Sequence, residues 1–253
     1  MDISNLNAKD VLEESGLDEY EAGMKFFCSE LVELNIIVYL AEQMVDFPFE
    51  LFAHSDKTIF FGMVMRSFHD SAILIVTRLA TDQKGDLYTL SRFKNRVLES
   101  AKPEFKDSVK ARLREARFDQ AVAGLLEKAK ELRRNRIAHT TRDLISENIK
   151  VSRPTLSEVI RLRDALNSLL DALSFNVSHI MLPIHYAPNV LQSPHISHKT
   201  DIEELLECVA RNSNLLNMPE KSPERWNRRR AHLGEEKINK INFYRRKLGL
   251  PEA

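Results

Sequence analysis

The chain has 253 residues, of which 29% are charged and only seven are glycine, and its 37 Lys and Arg balance 37 Asp and Glu. That length buries one good core, or one core with a helical appendage. So few glycines argue against the many tight turns of an all-β fold. The zero net charge hides an asymmetry. Residues 1–21 carry seven acids against Lys9, whereas residues 221–247 carry ten Lys or Arg against Glu224, Glu235 and Glu236. An acidic lead and a basic tail that would face nucleic acid are one reading of this pattern. Solvated helix faces are the other.

In chain order, residues 18–46 predict a helix, since Phe26, Phe27, Leu31, Leu34, Val38, Ala41 and Val45 recur at three and four. Pro48 ends it. Residues 57–82 predict a second helix, apolar on nearly every side and so expected in the middle of a bundle. Its Arg66/Asp70 and Arg78/Asp82 are four apart and are expected to pair along the helix. A short helix over 88–101 follows the Asp82–Gly85 turn, and Pro103 suits the first turn of the next. That helix shows Phe105, Val109, Leu113 and Ala116 on one face, then slips phase near Phe118-Asp119, where Asp119 would cap a fresh start. It is read as continuing through Val122, Leu125, Leu126, Ala129 and Leu132. Residues 140–153 lack a period and read as a loop. Thr155-Leu156-Ser157-Glu158 has the form of a capping box, opening a helix over Val159 to Val177. Residues 183–198, with Pro183, Pro188 and Pro194, read as a connection. Further helices are expected near 201–216, 222–232 and 234–248.

The sum is an all-α chain, an antiparallel helical bundle with a C-terminal helical extension. The expected divisions are an acidic lead over 1–17, the bundle over 18–182, and a proline-containing connection and basic extension over 183–253. The start has no basic n-region with an apolar run, so no secretory signal is read. The apolar stretches near Leu31–Val45 and Ile59–Leu79 are interrupted by Glu33, Glu42, Arg66 and Asp70, which argues against a membrane span. Cys28 and Cys208 match no metal or redox spacing. A reduced cytosolic protein is expected.

The helix over 119–132 runs into Arg134-Asn135-Arg136-Ile137-Ala138-His139. This hexapeptide places a fixed cation, an amide and a titratable imidazole together, groups suited to chemistry on a phosphodiester. With 21 Arg and eight His in the chain, roughly two matches to Arg followed by His after four to six residues are expected by chance. Arg133, and Arg225 with His232, also satisfy the pattern. Arg134–His139 is singled out because it closes a periodic helix, carries Asn after the first Arg, and has apolar Ile137-Ala138 before the His. On a helix, Asn135 and His139 lie about 40° apart, so the amide would hold the imidazole and fix its tautomer. Arg134 lies about 140° from His139. A break in the helix, its long side chain, or a second protomer related by a two-fold axis would bring it to the same phosphate. A cation cluster at a helix end equally serves the last carbonyls and the macrodipole.

The hexapeptide resembles the Arg-polar-x-x-x-His signature of the HEPN superfamily (higher eukaryotes and prokaryotes nucleotide-binding). The order of elements looks like the abortive-infection AbiU-type branch: Ser67-Phe68-His69-Asp70-Ser71, then Arg78-Leu79-Ala80-Thr81-Asp82, then arginine-rich Leu132–His139, then another long helix. The resemblance covers approximately residues 20–182. It implies a metal-independent endoribonuclease, without cofactor, working as a homodimer in a toxin–antitoxin or phage-defence setting. Arg134 and His139 take the catalytic positions, and Asn135 the polar one. Arg133, Arg136 and Arg142 would hold flanking RNA phosphates. Beyond RNA and a second copy, an antitoxin or other regulatory protein is an expected partner, and a membrane is not. Inactive relatives make a non-catalytic RNA-, nucleotide- or protein-binding module the alternative. Elsewhere, His195-Ile196-Ser197-His198 lacks the Cys or acidic companions of a zinc site. Trp226, beside Arg225 and Arg228–Arg230, either stacks on a base or anchors the C-terminal helix.

Overall fold

The computed structural model describes residues 3, 5–52, 55–80, 88–134, 152–176 and 201–252. Among these the regular elements are α1 (Ala8–Val11), α2 (Glu14–Asp46), α3 (Phe49–Phe52), α4 (Ser55–Ala80), α5 (Leu90–Ser100), α6 (Lys106–Glu115) and α7 (Phe118–Val122). They continue with α8 (Leu125–Leu132), α9 (Leu156–Leu173), α10 (Asp201–Arg211), α11 (Met218–Lys221), α12 (Pro223–Arg230) and α13 (Glu235–Lys247). The chain is all-α. Its β pairing among the described residues is one antiparallel bridge, Leu12 to Ala101. Two compact units result, Met1–Tyr39 with Phe68–Ala187, and Leu40–Ser67 with Pro188–Ala253. Residues 40–67 thus cluster with the C-terminal part of the chain, although the sequence reading runs the bundle continuously over 18–182.

The core of the first unit is built where the apolar spacing predicts it. Phe27, Leu31, Leu34 and Val38 of α2 meet Ile73, Val76 and Leu79 of α4, Phe93 and Val97 of α5, and the Leu162–Leu173 face of α9. The start of the chain also belongs to this core. Val11 and Leu12 are buried, and their backbone hydrogen-bonds across the α5–α6 connection, Glu13 N–H to Ser100 O at 2.8 Å and Lys102 N–H to Val11 O at 2.9 Å. The Lys102 ammonium adds two bonds to the carbonyls of Lys9 and Asp10. Positive charge on Lys102 therefore closes the C-terminal end of α1.

Helix α9 is fixed at both ends and in the middle. Its first turn is the expected capping box, Thr155 with Glu158. At its far end the Arg112 guanidinium donates to Ser174 O and Asp171 O, both at 2.8 Å. The Tyr20 hydroxyl donates to Leu173 O at 3.1 Å and accepts from Phe175 N–H at 3.3 Å. Burial pushes this phenol up to about 12. Midway, Asn35 of α2 and Asn167 exchange two amide hydrogen bonds of 3.3 and 2.9 Å.

Three expectations change. Residues 103–132 are not one helix with a single slip. Arg117 takes left-handed backbone at φ 49° and Gly124 at φ 74°, so α6, α7 and α8 are separate segments. Asp119 sits in the first turn of α7 without capping it, the N-cap position being Arg117. Helix α4 is not buried all round. Ile59, Phe60 and Met63 are each more than 60% exposed, and the buried positions gather in Ala72–Ala80. By length and composition, Ile59–Ala80 is apolar enough to cross a membrane, although its internal charges argue against a span in the sequence reading, and 28% of its most apolar window is buried. Thirdly, Asp70 pairs with Arg153 at 3.2 Å rather than with Arg66, and Arg78 pairs with Glu30 of α2. Packing of neighbouring elements outcompetes the weak pairing along one exposed helix face. Asp82 lies outside the described residues.

In the second unit, Phe47 packs on Phe49, Phe52 and Tyr244, with ring centroids 4.7, 5.7 and 5.3 Å apart. Arg245, fully buried, donates to Leu216 O and to the Glu220 carboxylate. Trp226 and Ile241 of the same unit are also buried.

At Gly23, α2 passes close to side chains of α5 and of the segment before it. A Cβ there would lie 2.5 Å from the Phe93 ring and 3.1 Å from the Tyr88 hydroxyl. Because Phe93 is fully buried, the ring has nowhere to retreat. Gly23→Val is expected to destabilise the fold by about 1–3 kcal/mol through overpacking, read as a lower urea midpoint.

Candidate functional site

Helix α8 begins after Gly124 and turns Ala129 and Leu132 into the core, both fully buried. That inward face fixes the rotation of the helix. Lys128 holds it against α9 by bonding both oxygens of Glu158, at 3.0 and 2.8 Å. Arg133 is half-buried, and its N–H is shared between the carbonyls of Ala129 and Lys130. Arg134 is exposed, and across Arg133 and Arg134 the helical ladder widens to π type. Such widening is common at functional sites. Of the sequence-predicted residues, only Arg133 and Arg134 are therefore brought together in the described structure. Asn135, Arg136, His139 and Arg142 lie outside the described residues. So do His179, His185, His195 and His198.

The chain returns at residue 152, and here the structure holds a constellation that sequence reasoning missed. Asp70 on α4 forms an ion pair with Arg153, the two charged groups 3.2 Å apart. His69 Nε2 lies 2.7 Å from Pro154 O. A carbonyl only accepts, so Nε2 carries the proton. The His69 Nδ1 faces Asp70 at 3.5 Å. All three side chains are half-buried or less exposed than that, at 16, 26 and 30% for His69, Asp70 and Arg153. Two adjacent polar residues on the buried half of an apolar helix were the available signal. Their partners are far away in sequence, so spacing could not reveal them.

The effect is positional. The residues on either side of 135–151 are each fastened to the core, α8 through Lys128 and Glu158, and Arg153-Pro154 through Asp70 and His69. Glu158 serves twice, because its carboxylate also accepts the Thr155 N–H at 2.6 Å. The Lys128 hydrogen bond, then the Thr155 backbone, hold its carboxyl well below the usual range, at about 2. In the second unit Trp226 is only 4% exposed. That burial leaves little of the ring for a base to stack on and fits the anchoring alternative.

The described residues form an all-α bundle, and the sequence that follows its α8 helix reads Arg-Asn-x-x-x-His. The AbiU2 family model matches residues 19–199, well over half of the chain, and the protein belongs to the AbiU2 family of HEPN domains, a family of abortive-infection proteins. No curated protein and no solved structure matches the chain significantly.

The low Glu158 carboxyl makes a pH prediction. Its folded value lies below the ordinary 4.5, so its stabilisation is present above that value and fades as pH falls from about 4.5 towards about 2. Glu158→Gln should melt at lower temperature than the wild type at pH 7. The gap between the two melting temperatures should close on acidification through that window. A gap that stays constant down to pH 2 would mean the Lys128 contact carries no stability.

Proposed function

We propose that this protein is a metal-independent endoribonuclease that cleaves RNA by attack of a 2′-OH on the adjacent phosphorus, in a toxin–antitoxin or phage-defence setting. The reading is carried by one observation: the family match spans residues 19–199 and so takes in the Arg134–His139 hexapeptide. The exposure of Arg134 at the end of a firmly seated helix supports it. In the reaction the 2′-oxygen forms a bond to phosphorus and the bond to the 5′-oxygen breaks. The products are a 2′,3′-cyclic phosphate and a 5′-OH. One His139 imidazole accepts the 2′-OH proton, and a second protonated imidazole supplies the proton to the departing 5′-oxygen. Imidazole suits both roles near neutrality. The Arg134 guanidinium stabilises the charge that builds on the phosphoryl oxygens. Asn135 orients the imidazole, and Arg133, Arg136 and Arg142 hold flanking phosphates.

Two copies of the hexapeptide facing each other across a two-fold axis supply both imidazoles, since such an interface repeats the same patch on each side. The active species in this reading is a homodimer, and a neutralising partner protein would act by covering the shared cleft.

Purified protein incubated with RNA in EDTA is expected to yield cyclic-phosphate ends. His139→Ala should lower the rate by about 10²-fold or more, within the range for lost proton transfer. Arg134→Ala should lower it by a comparable factor. Cleavage equal in wild type and His139→Ala, or cleavage that appears only with Mg²⁺, defeats this mechanism. RNA binding by a stable dimer that never cleaves would assign the chain to the non-catalytic module instead.

A further inference from the structure

A cavity of about 440 Å³ opens in the first unit among α5, α6, α7 and α9, on residues the nuclease reading does not use. Lys94, Lys110, Arg114 and Arg117 line it, against the single acid Asp119. The floor is apolar: Leu98, Leu113, Phe118 and Leu169, the last two buried. Lys94, Arg114 and Arg117 have no ion pair among the described residues. Lys110 has one, to Asp107 at 3.6 Å, and that carboxylate is almost fully in solvent.

Four cations gathered on one concavity repel each other unless an anion joins them. A solvated charge face would explain the cations, but not the apolar floor beneath them. Arg117 adds a second oddity. It stands in left-handed backbone at φ 49°, a conformation uncommon for a residue with a side chain and one that accumulates at ligand sites. Asn or Gly at the α6–α7 hinge would take this backbone with less strain, and neither would bring a guanidinium to the cavity.

We propose that this cavity is a nucleoside-phosphate site, with the phosphate held on the cation rim and the base laid on the Leu113–Phe118–Leu169 floor. The volume falls in the range of small-molecule sites, about 300–1,000 Å³. Guanidinium forks suit phosphate oxygens, and an aromatic ring beside leucines suits a flat heterocycle. The ligand is either a free mononucleotide or one nucleotide of an RNA strand. The chemistry recognised is the same, and the site stands whether or not the hexapeptide cleaves RNA.

The test titrates the full chain with AMP, GMP, CMP and UMP at low salt by calorimetry, with adenosine and inorganic phosphate as partial ligands. At least one mononucleotide should bind, and more tightly than either partial ligand. Arg117→Gly keeps the backbone permissive while removing the guanidinium. It should weaken binding by about tenfold or more, the loss expected for one charged hydrogen bond. The pair Lys94→Gln with Arg114→Gln should weaken it further, with the melting temperature of Arg117→Gly no lower than that of the wild type and that of the pair unchanged. His139→Ala should leave nucleotide affinity intact, which separates this site from the nuclease reading. A 2′-O-methyl oligoribonucleotide identifies the source: if it displaces the mononucleotide and loses the same factor in Arg117→Gly, the site holds an RNA strand. If it does neither, the ligand is the free nucleotide. No binding by any of the four mononucleotides, or binding unmoved by the charge variants, overturns the proposal.

Discussion

The Glu158 carboxylate lies at the junction on which the geometry of the first unit rests. A helix N-terminus leaves backbone N–H groups without partners, and Glu158 closes one of these at Thr155. The same two oxygens receive Lys128 from α8. One acid therefore sets where α9 begins and where α8 lies upon it. This matters because α9 supplies nine buried residues and packs against α5, α6, α7 and α8 in turn. A slide of α9 by one residue would rotate its apolar face by about 100°, taking Leu162, Leu166 and Leu169 out of the core.

The polar contacts along α9 act as stops against that slide. Glu158 marks its start, the Asn35–Asn167 amide pair its middle, and Arg112 with Tyr20 its end. Each is a direct and satisfied hydrogen bond. Leucine packing alone is tolerant of small shifts, whereas a buried amide or carbonyl left without its partner costs about 1–3 kcal/mol. Apolar burial provides the drive to fold, and these few polar pairs choose one register. The Asp70–Arg153 and His69–Pro154 contacts extend the same logic to the strand of chain entering α9.

What the sequence made legible was local. The Thr155–Glu158 capping box needs only four consecutive residues, and it forms as read. Pro48 stops α2 for a reason contained in its own ring. The α2, α5 and α9 faces follow from spacing, because each has one buried side. What stayed hidden depends on partners distant in the chain. Asp70 was matched to Arg66 because four-residue spacing is visible and Arg153 is not. Helix α4 read as buried all round because an apolar composition says nothing about which half of a helix finds neighbours. Of the candidate site, the sequence names residues, and the structure positions Arg133 and Arg134 among them. The His69–Asp70–Arg153 cluster needed coordinates.

The two backbone reversals at Arg117 and Gly124 show how a periodic pattern can be right about faces and wrong about continuity. Phe118, Val122, Ala129 and Leu132 are all buried, as one unbroken amphipathic helix would require. Folding it into α6, α7 and α8 keeps each short segment against α9, and it has two consequences. The first reversal spreads α6 from α7, bringing Arg114 and Arg117 to the rim of a cavity floored by Phe118 and Leu169. The second re-aims α8, so that Lys128 meets Glu158 and Arg134 leaves the helix end in solvent. Gly124 adopts its left-handed conformation at no steric cost, with nothing within 4 Å of where a Cβ would be, whereas Arg117 adopts it against its own side chain. The tolerant hinge thus directs the proposed nuclease helix, and the strained one builds the cation-lined cavity.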